Sequence, residues 1–267
     1  MTERRKMTVP RLRECKADGQ PISMLTAYDA SFARRVDDAG VDCVLVGDSL
    51  GNVIQGRDNT LPVTVSDMVY HVEAVRRGLD HALLLADMPF MSYHDRPTTM
   101  HSAARLMQAG AEMVKLEGGS AIAPQVAELV AQGIPVCGHL GLTPQHVHQL
   151  GGYRVQGREE EAARILREDA QALEAAGAGM LVLECVPSEL AGAIATDLAI
   201  PVIGIGAGPS VDGQVLVLYD VLGISVGHRP RFVRDFMADS DSIPAALDAF
   251  VEAVRERRFP GPEHGYR

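Results

Sequence analysis

Basic charge is in short supply. The 267 residues hold 25 Lys and Arg against 35 Asp and Glu, a formal net charge of −10. With no basic excess to displace counterions, the chain is not expected to bind nucleic acid. It also has no apolar run of about 18 residues, so no spanning helix and no membrane partner is expected. No apolar stretch follows the positive residues of Met1-Thr2-Glu3-Arg4-Arg5-Lys6, so no secretory leader is expected either. The four cysteines, Cys15, Cys43, Cys137 and Cys185, are scattered and form no Cys-x-x-Cys pair. That spacing argues against a cysteine zinc site and fits reduced, mostly buried thiols in a cytoplasmic protein.

What the chain does have is a regular alternation of strand and helix signals, which defines an α/β fold. Strand candidates fall at 22–27, 41–47, 81–86, 113–116, 135–139, 180–184, 201–204 and 215–219. Helices are expected at 30–40, 98–108, 122–131, 159–176 and 187–198. Another is expected to be capped by Ser66, with Asp67 in its first turn and Arg76, Arg77 and Gly78 at its end. Eight strands in 267 residues match an eight-fold (β/α)8 TIM barrel. A doubly wound open sheet is the competing arrangement. Long loops run from 49 to 64 and, rich in glycine, from 141 to 158; loops of that length are functional lids or disordered. No linker or composition shift divides the chain, so 1–267 reads as one domain. It would have a short N-terminal extension, a helix-rich stretch to about residue 257 and a loose tail around Pro260-Gly261-Pro262.

Four apolar runs each end in one carboxylate: Val44-Leu45-Val46-Gly47-Asp48, Leu83-Leu84-Leu85-Ala86-Asp87, Met113-Val114-Lys115-Leu116-Glu117 and Leu181-Val182-Leu183-Glu184. In one closed barrel these acids converge on the carboxyl-end rim, where barrel enzymes keep their chemistry. Their mutual repulsion must be offset by a metal, a cation or a raised pKa. Asp48 and Asp87 suit a hard cation such as Mg²⁺, though an Asp just after a strand can also cap a helix. Lys115 and Glu117, two apart, share a strand face. They are either an internal ion pair or a cation for a substrate carboxylate beside a metal-holding acid. Glu184, with apolar neighbours, suits a general base, or it pairs with an arginine. His139 could hydrogen-bond an enolate oxygen or be a satisfied core histidine. The loop histidines His146 and His148 are expected to be solvated. Gly204-Ile205-Gly206-Ala207-Gly208 lacks the dinucleotide-binding spacing and reads as a tight turn. These residues describe a metal-dependent barrel enzyme acting on a small anionic carbonyl compound.

Eight segments in order then resemble the ketopantoate hydroxymethyltransferase family over about residues 8 to 237. They are Met24-Leu25-Thr26-Ala27-Tyr28-Asp29, Val46-Gly47-Asp48-Ser49-Leu50-Gly51, Thr60-Leu61-Pro62-Val63-Thr64 and Ala86-Asp87-Met88-Pro89-Phe90, followed by Val114-Lys115-Leu116-Glu117-Gly118-Gly119, Gly138-His139-Leu140-Gly141-Leu142-Thr143-Pro144-Gln145, Gly151-Gly152-Tyr153-Arg154-Val155-Gln156-Gly157 and Gly204-Ile205-Gly206-Ala207-Gly208. The resemblance implies a closed barrel. It also implies transfer of a hydroxymethyl group from 5,10-methylenetetrahydrofolate to 3-methyl-2-oxobutanoate, through a magnesium-stabilised enolate, giving 2-dehydropantoate for pantothenate synthesis. It puts one Mg²⁺ per subunit on Asp48, Asp87 and Glu117, and the general base on Glu184. Substrate contacts fall on Ser49, Asp87 and Lys115, with Asp48 and His139 beside them. It further implies a cytoplasmic homo-oligomer, commonly a decamer. The nearest rival is a phosphoenolpyruvate-mutase or isocitrate-lyase type C–C lyase on the same barrel. That class carries a reactive cysteine in a Lys-Lys-Cys-Gly-like loop, which is missing here. A catalytically idle barrel serving as an assembly scaffold is a second rival, and the full set of acids argues against it.

Overall fold

The computed structural model describes residues 4–227 and 229–267; Met1, Thr2 and Glu3, part of the stretch read for a leader, lie outside the described residues. The eight strands are β1 (Ile22–Thr26), β2 (Cys43–Val46), β3 (Leu83–Asp87), β4 (Met113–Glu117), β5 (Val136–Gly141), β6 (Met180–Glu184), β7 (Val202–Ile205) and β8 (Gly213–Leu216). They form a closed parallel barrel in sequence order, and β1 pairs with both β2 and β8. That last pairing excludes the open sheet. Every residue of β1 to β4 is buried, as expected for parallel strands covered on both faces.

The amino end of the barrel is closed by a helix, Val9–Ala17, which the sequence reading took for a plain extension. Its start is written in Thr8-Val9-Pro10: Thr8 caps the helix through its side chain, and Pro10 stands in its first turn. Only Leu12 of this helix is fully enclosed, so no apolar stripe announces it. Ion pairs moor it to residues that precede strands: Lys6 Nζ to Glu112 and Lys16 Nζ to Asp212, both at 2.7 Å.

Three further expectations are corrected. The helix Val65–Arg76 is capped by Thr64, not Ser66. Thr64 has the extended backbone a cap requires, and it exchanges hydrogen bonds with Asp67. The eighth strand begins at Gly213 and ends at Leu216, and Leu218–Val221 turns into helix. A Cβ at Gly213 would lie 2.3 Å from the Ile22 carbonyl oxygen, so a residue without one lets the last strand close on the first. The C-terminal tail is tethered rather than loose: the Tyr266 carbonyl accepts from the Ser188 amide at 3.1 Å and from its hydroxyl at 3.2 Å. Before it, helix Ile243–Arg255 packs Phe250 edge-on to Phe236 at 5.6 Å.

Asp37, buried at the end of helix Ala30–Asp38, binds the approach to β3. Its carboxylate accepts from the amides of Ala82 at 2.7 Å, Asp80 at 3.0 Å and His81 at 3.1 Å. Burial alone would raise this carboxyl, but the amide donors outweigh it and hold it below the ordinary value of 3.8. A depressed folded-state pKa gives stability that is present above the ordinary value and lost as pH falls through the folded one. Asp37→Asn should therefore cost about 1–3 kcal/mol at neutral pH. In urea unfolding at a series of pH values, its deficit relative to wild type should shrink on the acid side of 3.8.

Candidate active site

Neighbouring strands deliver their polar side chains to the carboxyl rim in register. Asp87 of β3 pairs with Lys115 of β4, and Glu117 of β4 pairs with His139 of β5. Glu184 ends β6, and Asp48 and Ser49 lie just beyond β2. Lys115 Nζ is 2.8 Å from Asp87 Oδ1, 3.2 Å from His139 Nδ1 and 3.9 Å from Glu117 Oε1. His139 bridges two acids, with Nδ1 3.2 Å from Glu117 and Nε2 3.3 Å from Glu184. The Asp48 amide donates to Asp87 Oδ2 at 2.9 Å. Ser49 Oγ shares a 2.8 Å hydrogen bond with the buried Tyr28 hydroxyl. All the expected site residues, Asp48, Ser49, Asp87, Lys115, Glu117, His139 and Glu184, line one cavity of about 700 Å³.

The structure decides several readings left open by the sequence. Asp48 and Asp87 cap no helix; the turn Leu50–Val53 begins at Ser49 without a side-chain cap. The nearest partner of Lys115 is Asp87 rather than Glu117. Glu184 faces His139, not an arginine. His146 hydrogen-bonds Thr143, His148 is exposed, and neither lines the cavity. In the stretch 204–208, Gly204 and Ile205 end β7 and the chain bends after them, with Gly206 and Gly208 at positive φ.

Gln145 was missed. It lies in the 141–158 loop, which is partly helical rather than irregular, and its side chain is buried. Its amide N–H donates to Glu117 Oε2 at 2.9 Å, and its Nε2 donates to Asp48 Oδ2 at 2.9 Å and to the Met88 carbonyl at 3.0 Å. Its Oε1 accepts from the Tyr93 hydroxyl at 2.6 Å. The loop reaches this position because β5 ends at Gly141, at φ +89°, where a Cβ would stand 2.2 Å from the Glu184 carbonyl oxygen.

Burial would discharge Lys115, but Asp87, Glu117 and Asp48 more than reverse this and keep it charged. Burial and Lys115 push His139 down, and Glu117 and Glu184 lift it to about 9. Burial works against the Glu117 anion, yet His139 and Lys115 hold its carboxyl below the ordinary range. At Asp48 the pull of Lys115 and Gln145 falls short. Burial, then Asp87 and Glu117, drive it well above the ordinary range. The rim therefore still calls for positive charge on its Asp48 side. Among the described residues no three His, Cys, Asp or Glu side chains form a ready cage for an ion. Asp48 and Asp87 nevertheless suit Mg²⁺, which takes one or two carboxylates and fills its other positions with water and substrate oxygens.

A closed α/β barrel with a buried lysine among rim carboxylates defines a class of enzyme acting on small anionic substrates at the carboxyl ends of its strands. Phosphonopyruvate hydrolase, solved in complex with oxalate and Mg²⁺, shares the fold with TM-score 0.60 at 14% identity, over 79% of this chain and 80% of that one. That likeness is one of fold and does not favour the lyase alternative. The family model for ketopantoate hydroxymethyltransferase matches residues 6–262, and the chain belongs to that family. Among its relatives are 3-methyl-2-oxobutanoate hydroxymethyltransferase 2 of Pseudomonas fluorescens, 58% identical over 97% of this chain and 98% of that one, and 3-methyl-2-oxobutanoate hydroxymethyltransferase of Alkalilimnicola ehrlichii, 58% identical over 98% and 95%.

Replacing Gln145 by leucine would keep its bulk and remove the donor to Asp48 and the acceptor for Tyr93. Gln145→Leu should destabilise the fold by about 1–3 kcal/mol, seen as a lower urea midpoint at unchanged slope. Adding Tyr93→Phe should then cost less than it does in the wild type, because the partner is already gone.

Proposed function

We propose that this chain transfers a hydroxymethyl group from 5,10-methylenetetrahydrofolate to 3-methyl-2-oxobutanoate, giving 2-dehydropantoate for pantothenate and coenzyme A synthesis. The observation that carries this reading is the division of labour at the rim. Asp48, Asp87, Glu117 and Lys115 cluster on one side, and Glu184 stands apart at the cavity wall behind His139.

Lys115, charged and buried, is the counter-ion for the oxoacid carboxylate. Ser49, held by Tyr28, orients a second substrate oxygen. Asp48, Asp87 and Glu117 would hold Mg²⁺, with Gln145 N–H and His139 fixing the Glu117 carboxylate. Bound there, Mg²⁺ supplies Lewis-acid charge that polarises the ketone and acidifies the C3 hydrogen. The hard carboxylate donors support this metal. Glu184 then takes the C3 proton, and His139, 3.3 Å away, orients its carboxylate. Water opens the N–CH₂–N bridge of the folate, releasing tetrahydrofolate and leaving its carbon at the formaldehyde level; the carbon nucleophile attacks that carbon, and the alkoxide formed takes up a proton to give the hydroxymethyl group. No side-chain nucleophile is needed: burial pushes the Cys185 thiol up, and Lys115 stays protonated.

The reading extends to one barrel domain over 1–267 and to a cytoplasmic homo-oligomer, expected to be a decamer. Four free cysteines support the location. No helix of the described residues is long and apolar enough to cross a membrane.

Proton NMR in D₂O tests the chemistry. With Mg²⁺ and no folate, the wild type should exchange the C3 hydrogen of 3-methyl-2-oxobutanoate, and Glu184→Gln should be slower by about 10²–10⁴-fold. Equal rates in the two proteins would move the base elsewhere.

A further inference from the structure

The rim acids occupy only part of the cavity. In the barrel order β8 lies across from β4, so the wall opposite Lys115 and Glu117 is built by β7, β8 and the segments after them. A cavity of about 700 Å³ is far larger than a small branched oxoacid needs. This second wall carries apolar groups, with Ile205, Val215, Phe232 and Tyr266 facing the space and Arg229 and Arg231 beside them. The Phe232 and Tyr266 rings pack onto the bare backbone of Gly206, where a Cβ would stand 2.8 Å from the first and 3.1 Å from the second.

The same wall carries one acid. Asp220 sits in the helical turn Leu218–Val221 that follows β8, half-buried and lining the cavity. Among the described residues its one hydrogen-bond donor is the Ser225 hydroxyl, 2.5 Å from Oδ1. Burial pushes its carboxyl up, against the pull of Ser225 and Arg229. The mechanism above gives it no task. The oxoacid cannot satisfy it, because that substrate offers only acceptors. A half-buried carboxylate with open acceptor capacity matches a planar ligand that carries two adjacent N–H donors.

We propose that this wall seats the pterin ring of the one-carbon donor, with Asp220 accepting from its 2-amino group and N3–H while Phe232 and Tyr266 cover the ring. The assignment rests on the transfer reading above and makes Asp220 a binding residue for the second substrate only. It places the two substrates on opposite sides of the barrel axis, so that the folate's methylene carbon meets the oxoacid between them.

Calorimetry with tetrahydrofolate, using the full chain, tests the seat. The wild type should bind, and Asp220→Asn, which puts an amide N–H against the 2-amino group, should bind about 10- to 100-fold more weakly, the loss of a charge-assisted contact. The KM for the oxoacid in C3 exchange should stay within about twofold, since that half-reaction needs no folate. A ligand change serves as the second arm and needs no variant to fold. Tetrahydrofolate with its 2-amino group replaced by methyl should lose a similar factor against the wild type and much less against Asp220→Asn. Equal affinity of both proteins for tetrahydrofolate, or an equal loss with the altered ligand, would overturn the seat. Failure of the wild type to bind tetrahydrofolate at all would instead overturn the transfer reading.

Discussion

The site depends on one buried ammonium. Lys115 Nζ lies within 4 Å of Asp87, Glu117 and His139, and in an interior shielded from water its charge offsets the repulsion between the two acids. Electrostatics this deep is unforgiving: an acid whose partners only partly offset burial is pushed toward its neutral form, as happens to Asp48. The barrel makes the arrangement possible because adjacent parallel strands set Asp87 against Lys115 and Glu117 against His139. The positive charge is thus placed by hydrogen-bond register, and the acids assemble around it.

A second layer then fixes the oxygens. Gln145 reaches in from a loop and holds Asp48 by its side chain and Glu117 by its backbone, while Tyr93 holds Gln145. Each bond consumes one oxygen lone pair and thereby dictates which oxygens remain for other partners. Preorganisation of this kind lowers the reorganisation needed when charge develops during reaction.

The barrel and its acids were legible because both are written locally. Short apolar runs ending in Asp48, Asp87, Glu117 and Glu184 declare buried strands and their rim in a few residues each. What stayed hidden depends on groups far apart in the chain. Gln145 is a neutral amide whose task exists only once Tyr93, Asp48 and Glu117 surround it. His139 could be read as either reactive or structural, since its contact with both Glu117 and Glu184 follows from the pairing of three strands. The floor helix carries a clear cap but almost no apolar periodicity, with Leu12 alone enclosed. The eighth strand starts at a glycine whose fitness lies in its closeness to Ile22, nearly two hundred residues away in sequence.

The first and last described residues lie on opposite faces of the barrel. Lys6 and the helix Val9–Ala17 close the amino end, whereas Tyr266 reaches the carboxyl rim and lines the cavity. For protein engineering the termini are therefore not equivalent. A tag or surface anchor joined ahead of Arg4 would hang beneath the floor, away from the opening. The same addition after Arg267 would crowd the entrance, so immobilisation and fusion designs should be built from the amino side.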